Sequence, residues 1–128
     1  MVQEDKSIEN LLELDGTRYV IHERLGLWVK FEARRTTPTK DRPNGIRYSL
    51  SMHDKSNKRI MGFDNAHAIE YGKKANVKPK RAYDHWHRDE SDNGRPYHYV
   101  NAGKLVEDFW MAVEKMLKKL DGSSHEHN

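Results

Sequence analysis

The sequence feature that most constrains the fold is a strict alternation of apolar and polar residues in two neighbouring segments. In residues 27–34 the apolar side chains occupy every second position, with Trp28 as an extra aromatic, and residues 46–53 repeat the pattern. Because successive side chains of a β-strand point to opposite faces, this period predicts two strands that each bury one face. Residues 54–57 are typical of a hairpin turn, and residues 59–63 behind them predict a third strand. The sequence therefore predicts an antiparallel sheet.

Shorter patterns at both ends of this sheet predict its neighbours. Residues 97–100 alternate again and predict a late strand, whereas residues 19–21 fit either a separate strand or a bent start of the first one. Ser7 precedes a short apolar run at helical spacing, and the turn-forming Asp15 and Gly16 follow it. These residues predict a short N-terminal helix.

The end of the chain predicts a long helix. Asn101 is a favourable N-cap, and apolar residues recur at helical spacing from Leu105 to Leu120. With the short N-terminal helix and about four strands, the expected fold is α+β: an antiparallel sheet with a long C-terminal amphipathic helix. Residues 121–128 offer nothing to bury, so we expect one domain over residues 1–120 and a disordered tail over residues 121–128.

The composition excludes several classes of protein. The 128 residues include no cysteine, which removes disulfides, thiolate metal sites and a cysteine nucleophile. The sequence has no apolar run of about 18 residues and no secretory signal of the usual basic-then-apolar order. We therefore expect a cytoplasmic protein with no membrane segment.

A basic stretch without acidic residues follows the predicted third strand. The formal net charge is only +3, so the total charge is weak support for an anionic partner, and the distribution is better support. A solvated loop and a nucleic-acid-binding loop both fit this pattern. The candidate binding residues are Lys73, Lys74, Lys78, Lys80 and Arg81.

Two histidines close to this stretch are the best candidates for chemistry. In an extended segment His85 and His87 share one face and Trp86 lies on the other, towards the core. One imidazole can accept a proton near neutral pH while another donates one, as cleavage of RNA by its own 2′-hydroxyl requires. The alternatives are two ordinary surface histidines, or a metal site with Asp64 or Asp84 as third ligand.

A carboxylate and an amide follow the third strand directly. Asp64 and Asn65 fit two roles, which are compatible with one another. Such residues commonly cap a turn by accepting hydrogen bonds from nearby amides. A carboxylate can also orient or charge a histidine from a neighbouring segment.

Taken in order, these motifs resemble those of the TumE-like toxins of bacterial and archaeal toxin–antitoxin modules. The matching residues are 62–66, 84–88, 96–97, Leu105 and 108–110. The resemblance implies a small toxin that is neutralised by a helix-turn-helix antitoxin encoded beside it. It implies functional roles for Asp64, Asn65, His85, His87 and Arg88. The sequence departs from the family pattern by a longer lysine-rich segment, residues 67–83.

Together with the chemistry of the two histidines, the resemblance implies an RNA-directed toxin, and we expect it to be a metal-independent ribonuclease without a cofactor. His85 and His87 are the expected acid/base pair, and Asp64 orients them. Arg88, with Lys80 or Arg81, is expected to bind phosphate. The alternatives are a non-enzymatic nucleic-acid-binding or regulatory module and a metal-dependent nuclease. The expected partners are RNA and the antitoxin, and the sequence leaves homodimerisation open.

Overall fold

The computed structural model describes residues 5–122 and contains one six-stranded antiparallel sheet, a separate two-stranded hairpin and two helices. The strand order in the main sheet is β1-β2-β3-β4-β7-β8, and β5 pairs with β6. The elements are α1 (Ile8–Glu13), β1 (Arg18–His22), β2 (Leu27–Arg35), β3 (Ile46–His53), β4 (Arg59–Asp64), β5 (Ile69–Tyr71), β6 (Lys80–Ala82), β7 (His85–His87), β8 (Arg95–Pro96) and α2 (Ala102–Asp121).

The α+β class is confirmed, but the predicted number of about four strands is too low. Strand β1 is separate from β2 and pairs with it in a hairpin. Strands β7 and β8 have only three and two residues, too few for a recognisable alternation.

The predicted strand over residues 97–100 is wrong. Its alternation is present, since Tyr97 and Tyr99 are half-buried while His98 and Val100 are exposed. However, β8 ends at Pro96, which has no N–H to continue the ladder. Only the Tyr97 N–H extends the pairing, by donating to the carbonyl of Asp84 at 2.9 Å. The alternation thus reflects packing of the tyrosines without strand pairing.

The long helix α2 covers one face of the sheet. The Asn101 side chain accepts a hydrogen bond from the Lys104 N–H at 2.7 Å, and Gly122, with φ of +65°, ends the helix in the left-handed conformation. Phe109 packs edge-on against Phe31 of β2 at 5.4 Å between ring centroids. Asp121 is the last helical residue, so helix α2 continues one residue past the predicted domain end. Residues 123–128 of the predicted tail lie outside the described residues.

The two faces of the sheet differ in chemistry. The face under α2 carries the apolar core, which includes Phe31, Tyr48 and Phe63. The opposite face, which we call the open face, carries the alternate residues of the same strands, among them Lys30 and Asp64. This separation follows from the period-two pattern in the sequence.

One polar contact reaches into the core. The hydroxyl of the buried Tyr48 donates to the Asp84 carboxylate at 2.8 Å. Burial raises the pKa of the Asp84 carboxyl above its ordinary value, and the hydrogen bond from Tyr48 partly offsets this. An acid with a raised pKa in the folded state favours folding while it is protonated, and this contribution is lost as the pH rises through the folded-state pKa.

Tyr48→Phe is expected to lower the free energy of unfolding by about 1–3 kcal/mol near neutral pH, because the Asp84 carboxylate loses its donor. At acidic pH the carboxyl is neutral and needs the donor less, so the loss is expected to shrink there. Urea denaturation across a pH series measures both effects. Tyr71→Phe is the matched control, since the Tyr71 hydroxyl has no hydrogen-bond partner within residues 5–122. An equal loss at every pH would contradict the assignment to Asp84.

Candidate active site

The pairing of β4 with β7 places three titratable side chains together on the open face. In this register Asp64 lies opposite His85, and Gly62 lies opposite His87. Trp86 points to the other face, as the alternation predicts, and stacks on Phe63 at 5.1 Å between ring centroids. The two imidazole rings meet edge-on at 5.1 Å. Both histidines are buried, with 3% and 9% of their surface exposed.

Backbone carbonyls fix the orientation of both imidazole rings. The Nδ1 of His85 lies 2.7 Å from the Tyr83 carbonyl oxygen, and the Nδ1 of His87 lies 2.8 Å from the Asp92 carbonyl oxygen. A carbonyl only accepts hydrogen bonds, so each Nδ1 must carry the proton and donate it. In a neutral ring the Nε2 atom is then left with its lone pair available. This is the atom that can take up a proton or bind a metal ion.

Asp64 completes the cluster. One oxygen of its carboxylate, Oδ1, lies 3.4 Å from the Nε2 of His85 and accepts a hydrogen bond from the Ala66 N–H at 3.1 Å. The side chain keeps 15% of its surface exposed, which opens the cluster to solvent. The long segment between the two sequence motifs therefore does not keep Asp64 away from the histidines. We refer to Asp64, His85 and His87 as the histidine cluster.

The histidine cluster could also hold a metal ion. One ligand atom from each residue lies within 4.8 Å of the others. Two ligands of a tetrahedral zinc ion, at bond lengths of 2.0 to 2.1 Å, are about 3.3 Å apart, so closure needs a shift of roughly 1.5 Å or less. A carbonyl acceptor at the second nitrogen is also typical of metal-bound histidines. Asp84, the other candidate for the third metal ligand, accepts a hydrogen bond from the Tyr48 hydroxyl instead.

A family comparison identifies the class of protein. The family model described as Toxin TumE matches residues 5–117. The chain belongs to the TumE toxin family. Membership makes it the toxin component of a toxin–antitoxin module, and such a toxin has an antitoxin partner. No curated protein and no solved structure matches the chain at a significant level. Within residues 5–122 of the toxin, none of the helices has the length and apolar character needed to cross a membrane.

Two of the residues singled out in the sequence lie outside the histidine cluster. The Asn65 side chain accepts from the Tyr48 N–H at 2.9 Å and donates to the Ile46 carbonyl at 2.8 Å, so both ends of its amide pair with β3. Arg88 is exposed and lines an apolar groove beside Trp86, on the side of α2. Its position follows from the alternation, which puts residues 86 and 88 on one face. These placements assign Asn65 a structural contact and separate Arg88 from the cluster.

The basic stretch forms the hairpin β5–β6, which lies beside the histidine cluster. Lys73, Lys74 and Lys78 lie in its exposed turn region, and Lys80 and Arg81 are exposed on β6. The Arg81 guanidinium lies 5.8 Å from the centre of the Tyr83 ring, and the Arg42 guanidinium lies 5.0 Å from it. The carbonyl of Tyr83 also accepts the hydrogen bond from Nδ1 of His85. Among the five candidate RNA-binding residues, Arg81 therefore has the most direct link to the histidine cluster, through Tyr83.

The structure adds residues that the motifs did not reveal. Gly94 has φ of +110°, and a Cβ there would lie 3.1 Å from Cε1 of His87 and 3.5 Å from Cδ2 of His85. The same Cβ would lie 3.1 Å from the Ile69 side chain, so hairpin and histidines meet at this glycine. The Asp92 carboxylate accepts from the N–H groups of Arg88 and Gly94 and fixes the turn whose carbonyl holds His87. The turn-forming residues 92–94 were the only sequence signal for this support.

Proposed function

We propose that this toxin is a ribonuclease, and that the histidine cluster is its reaction centre. The observation that supports the proposal best is the fixed orientation of two imidazoles whose Nε2 atoms are left for proton transfer. Two rings in contact at 5.1 Å can serve the two sides of one phosphodiester. Two ordinary surface histidines would not need a backbone carbonyl to fix the orientation of each ring.

The proposed reaction is cleavage of RNA by its own 2′-hydroxyl. One neutral imidazole takes the 2′-hydroxyl proton while the 2′-oxygen bonds to phosphorus. The other, as an imidazolium, gives a proton to the 5′-oxygen as the bond from phosphorus to that oxygen breaks. The products are a 2′,3′-cyclic phosphate and a 5′-hydroxyl. We assign the acid to His85, because its imidazolium would form an ion pair with Asp64, and the base to His87.

The hairpin β5–β6 supports RNA as the substrate. Its five cations are exposed. Two of them, Lys80 and Arg81, lie on β6, which precedes the histidine-bearing strand β7 directly in the chain. Cations of this kind bind phosphate oxygens and stabilise the charge that develops on them. Arg88 lies on the other face, so Arg81 is the better candidate for the scissile phosphate. We further propose that the toxin acts in the cytoplasm and that its antitoxin is a helix-turn-helix protein.

A metal-dependent nuclease is the second candidate. The observation that favours it is the convergence of three ligand atoms within 4.8 Å, with a carbonyl acceptor behind each histidine. In that case the ion would use the Nε2 lone pairs that acid/base catalysis needs. The two mechanisms therefore exclude one another at this cluster.

A chelator experiment separates these two candidates. Toxin purified with EDTA and assayed on RNA in EDTA is expected to cleave at the rate of untreated toxin, because proton transfer by imidazole needs no ion. Metal analysis of the assayed protein provides the control for complete removal. Activity that disappears in EDTA and returns with one divalent ion would contradict the metal-free mechanism. Binding of RNA without cleavage under all conditions would favour a non-enzymatic module.

A further inference from the structure

We propose that the open face of the sheet binds the backbone of the RNA strand that enters the histidine cluster, through a strip of five cations. This inference rests on the proposed ribonuclease function and adds a binding site outside the basic hairpin. The cation strip consists of Arg18, Lys30, Arg34, Arg47 and Arg59.

Two arginines of the strip face each other directly. In the register of β2 and β3, Arg34 lies opposite Arg47, and both side chains are exposed. Like charges in this position destabilise a sheet. Neither guanidinium has an acidic partner within residues 5–122, whereas the adjacent Arg35 forms an ion pair with Glu9. A polyanionic ligand that bridges the two arginines would turn this unfavourable pair into a binding site.

The other three cations surround His53 on the same face. The Arg18 guanidinium lies 5.3 Å from the centre of the Trp28 ring, which stacks on His53 at 4.3 Å between ring centroids. Burial is the main cause that lowers the pKa of His53, and the positive charges of Lys30, Arg59 and Arg18 add to it. Arg59 is the direct partner of His53 in the register of β4 and β3, and Lys30 is the partner of Ser51, whose hydroxyl lies 2.8 Å from Nε2 of His53. These contacts place the three cations around one group.

Arg59 links this group to the histidine cluster. A Cβ on Gly62 would lie 3.3 Å from Cδ of Arg59, so the arginine chain runs over this glycine. Gly62 is the direct partner of His87 on β7 and of Ser51 on β3, and Ser51 is the partner of Lys30 on β2. Neighbouring strands lie about 4.8 Å apart, so this row leads from His87 to Lys30 over roughly 14 Å. One strand of RNA can span this distance.

The charges on this face fit a nucleic-acid backbone. On the open face of β2, β3 and β4, the acidic residues are Asp64 of the histidine cluster and Glu32. The carboxylate of Glu32 lies 3.4 Å from the ammonium group of Lys30. A positively charged surface that follows the backbone is the usual way to hold single-stranded nucleic acid without sequence preference. We therefore assign the cation strip to phosphates of single-stranded RNA and not to an acidic segment of the antitoxin.

The test is the variant Arg34→Gln/Arg47→Gln, made in a His87→Asn background so that RNA is bound without being cut. Binding of a single-stranded RNA oligonucleotide is measured at several salt concentrations. The slope of log affinity against log salt is expected to flatten by about 0.7 for each lost phosphate contact, hence by up to about 1.4. The thermal midpoint is expected to stay or rise, because a repulsion is removed. The matched control is Lys115→Gln/Lys118→Gln, with the same charge change on exposed positions of α2.

The outcomes separate the strip from the proposed function. Weaker RNA binding with a flatter salt slope, while the control binds normally, supports the strip. Binding equal to that of the control, or loss of antitoxin binding with RNA binding intact, overturns it. If the His87→Asn protein with an intact strip binds no RNA at all, the ribonuclease proposal fails, and the inference fails with it.

Discussion

His85→Asn and His87→Asn are each expected to lower the rate of RNA cleavage by about 10²- to 10⁴-fold, the usual contribution of one general acid or base. Asparagine is chosen because its amide can still donate to the carbonyl that now accepts from Nδ1, at Tyr83 for His85 and at Asp92 for His87. It cannot exchange a proton at the position of Nε2. The buried polar contact is kept while the chemistry is removed.

RNA affinity and the unfolding midpoint are expected to change little in these variants, and growth inhibition in cells should be lost. The double variant should cleave RNA only slightly more slowly than the less active of the two single variants, because groups that act as a unit are non-additive. His98→Asn is the control, since His98 is exposed and lies outside the histidine cluster. Cleavage by both single variants at the rate of the control would remove the cluster from the mechanism.

The central strands and both helices could be predicted because their signals are local. The alternation around Phe31 and Leu50 already fixes which face of each strand is buried, and the spacing behind Asn101 fixes the length of α2 to within one residue. Strand β7 is held by its pairing with β4, and β8 by its pairing with β7, and short strands of this kind leave little pattern in a sequence. Their existence could not be read from periodicity alone.

The histidine cluster was only partly predictable. The shared face of His85 and His87 follows from local alternation, and the same rule puts Arg88 on the opposite face, which argues against its predicted role on the phosphate. The contact of Asp64 with His85 depends on a register between strands that are separated by the hairpin. Register across such an insertion is set by the whole sheet. The close approach of Gly94 to both imidazole rings depends on the same register.

The arginine pair, on the same open face of the sheet, shows the same limit. Arg34 and Arg47 lie on neighbouring strands, and each reads in the sequence as an ordinary exposed residue. Their direct opposition appears only when β2 and β3 are paired in register. Composition could not show it either, because a net charge of +3 conceals how the cations are distributed.

The nucleophile of the proposed reaction is the 2′-hydroxyl, and a single 2′-deoxy substitution at the cut site tests it most directly. The site of cleavage is first mapped on an all-RNA oligonucleotide. The same oligonucleotide is then made with one deoxyribose on the 5′ side of the scissile phosphate. The phosphates are unchanged, so the contacts with the hairpin and the cation strip are preserved and binding is expected to stay the same.

We expect cleavage at the substituted position to disappear, because no oxygen is left for an imidazole to activate. Unsubstituted RNA should yield a fragment with a 2′,3′-cyclic phosphate, which mass spectrometry distinguishes from a 3′-phosphate by the mass of one water. A deoxy substitution one nucleotide away serves as the control and should be cut normally. Cleavage of the deoxy-substituted site at the rate of RNA would show that water or another group is the nucleophile, and the mechanism proposed for the histidine cluster would be wrong.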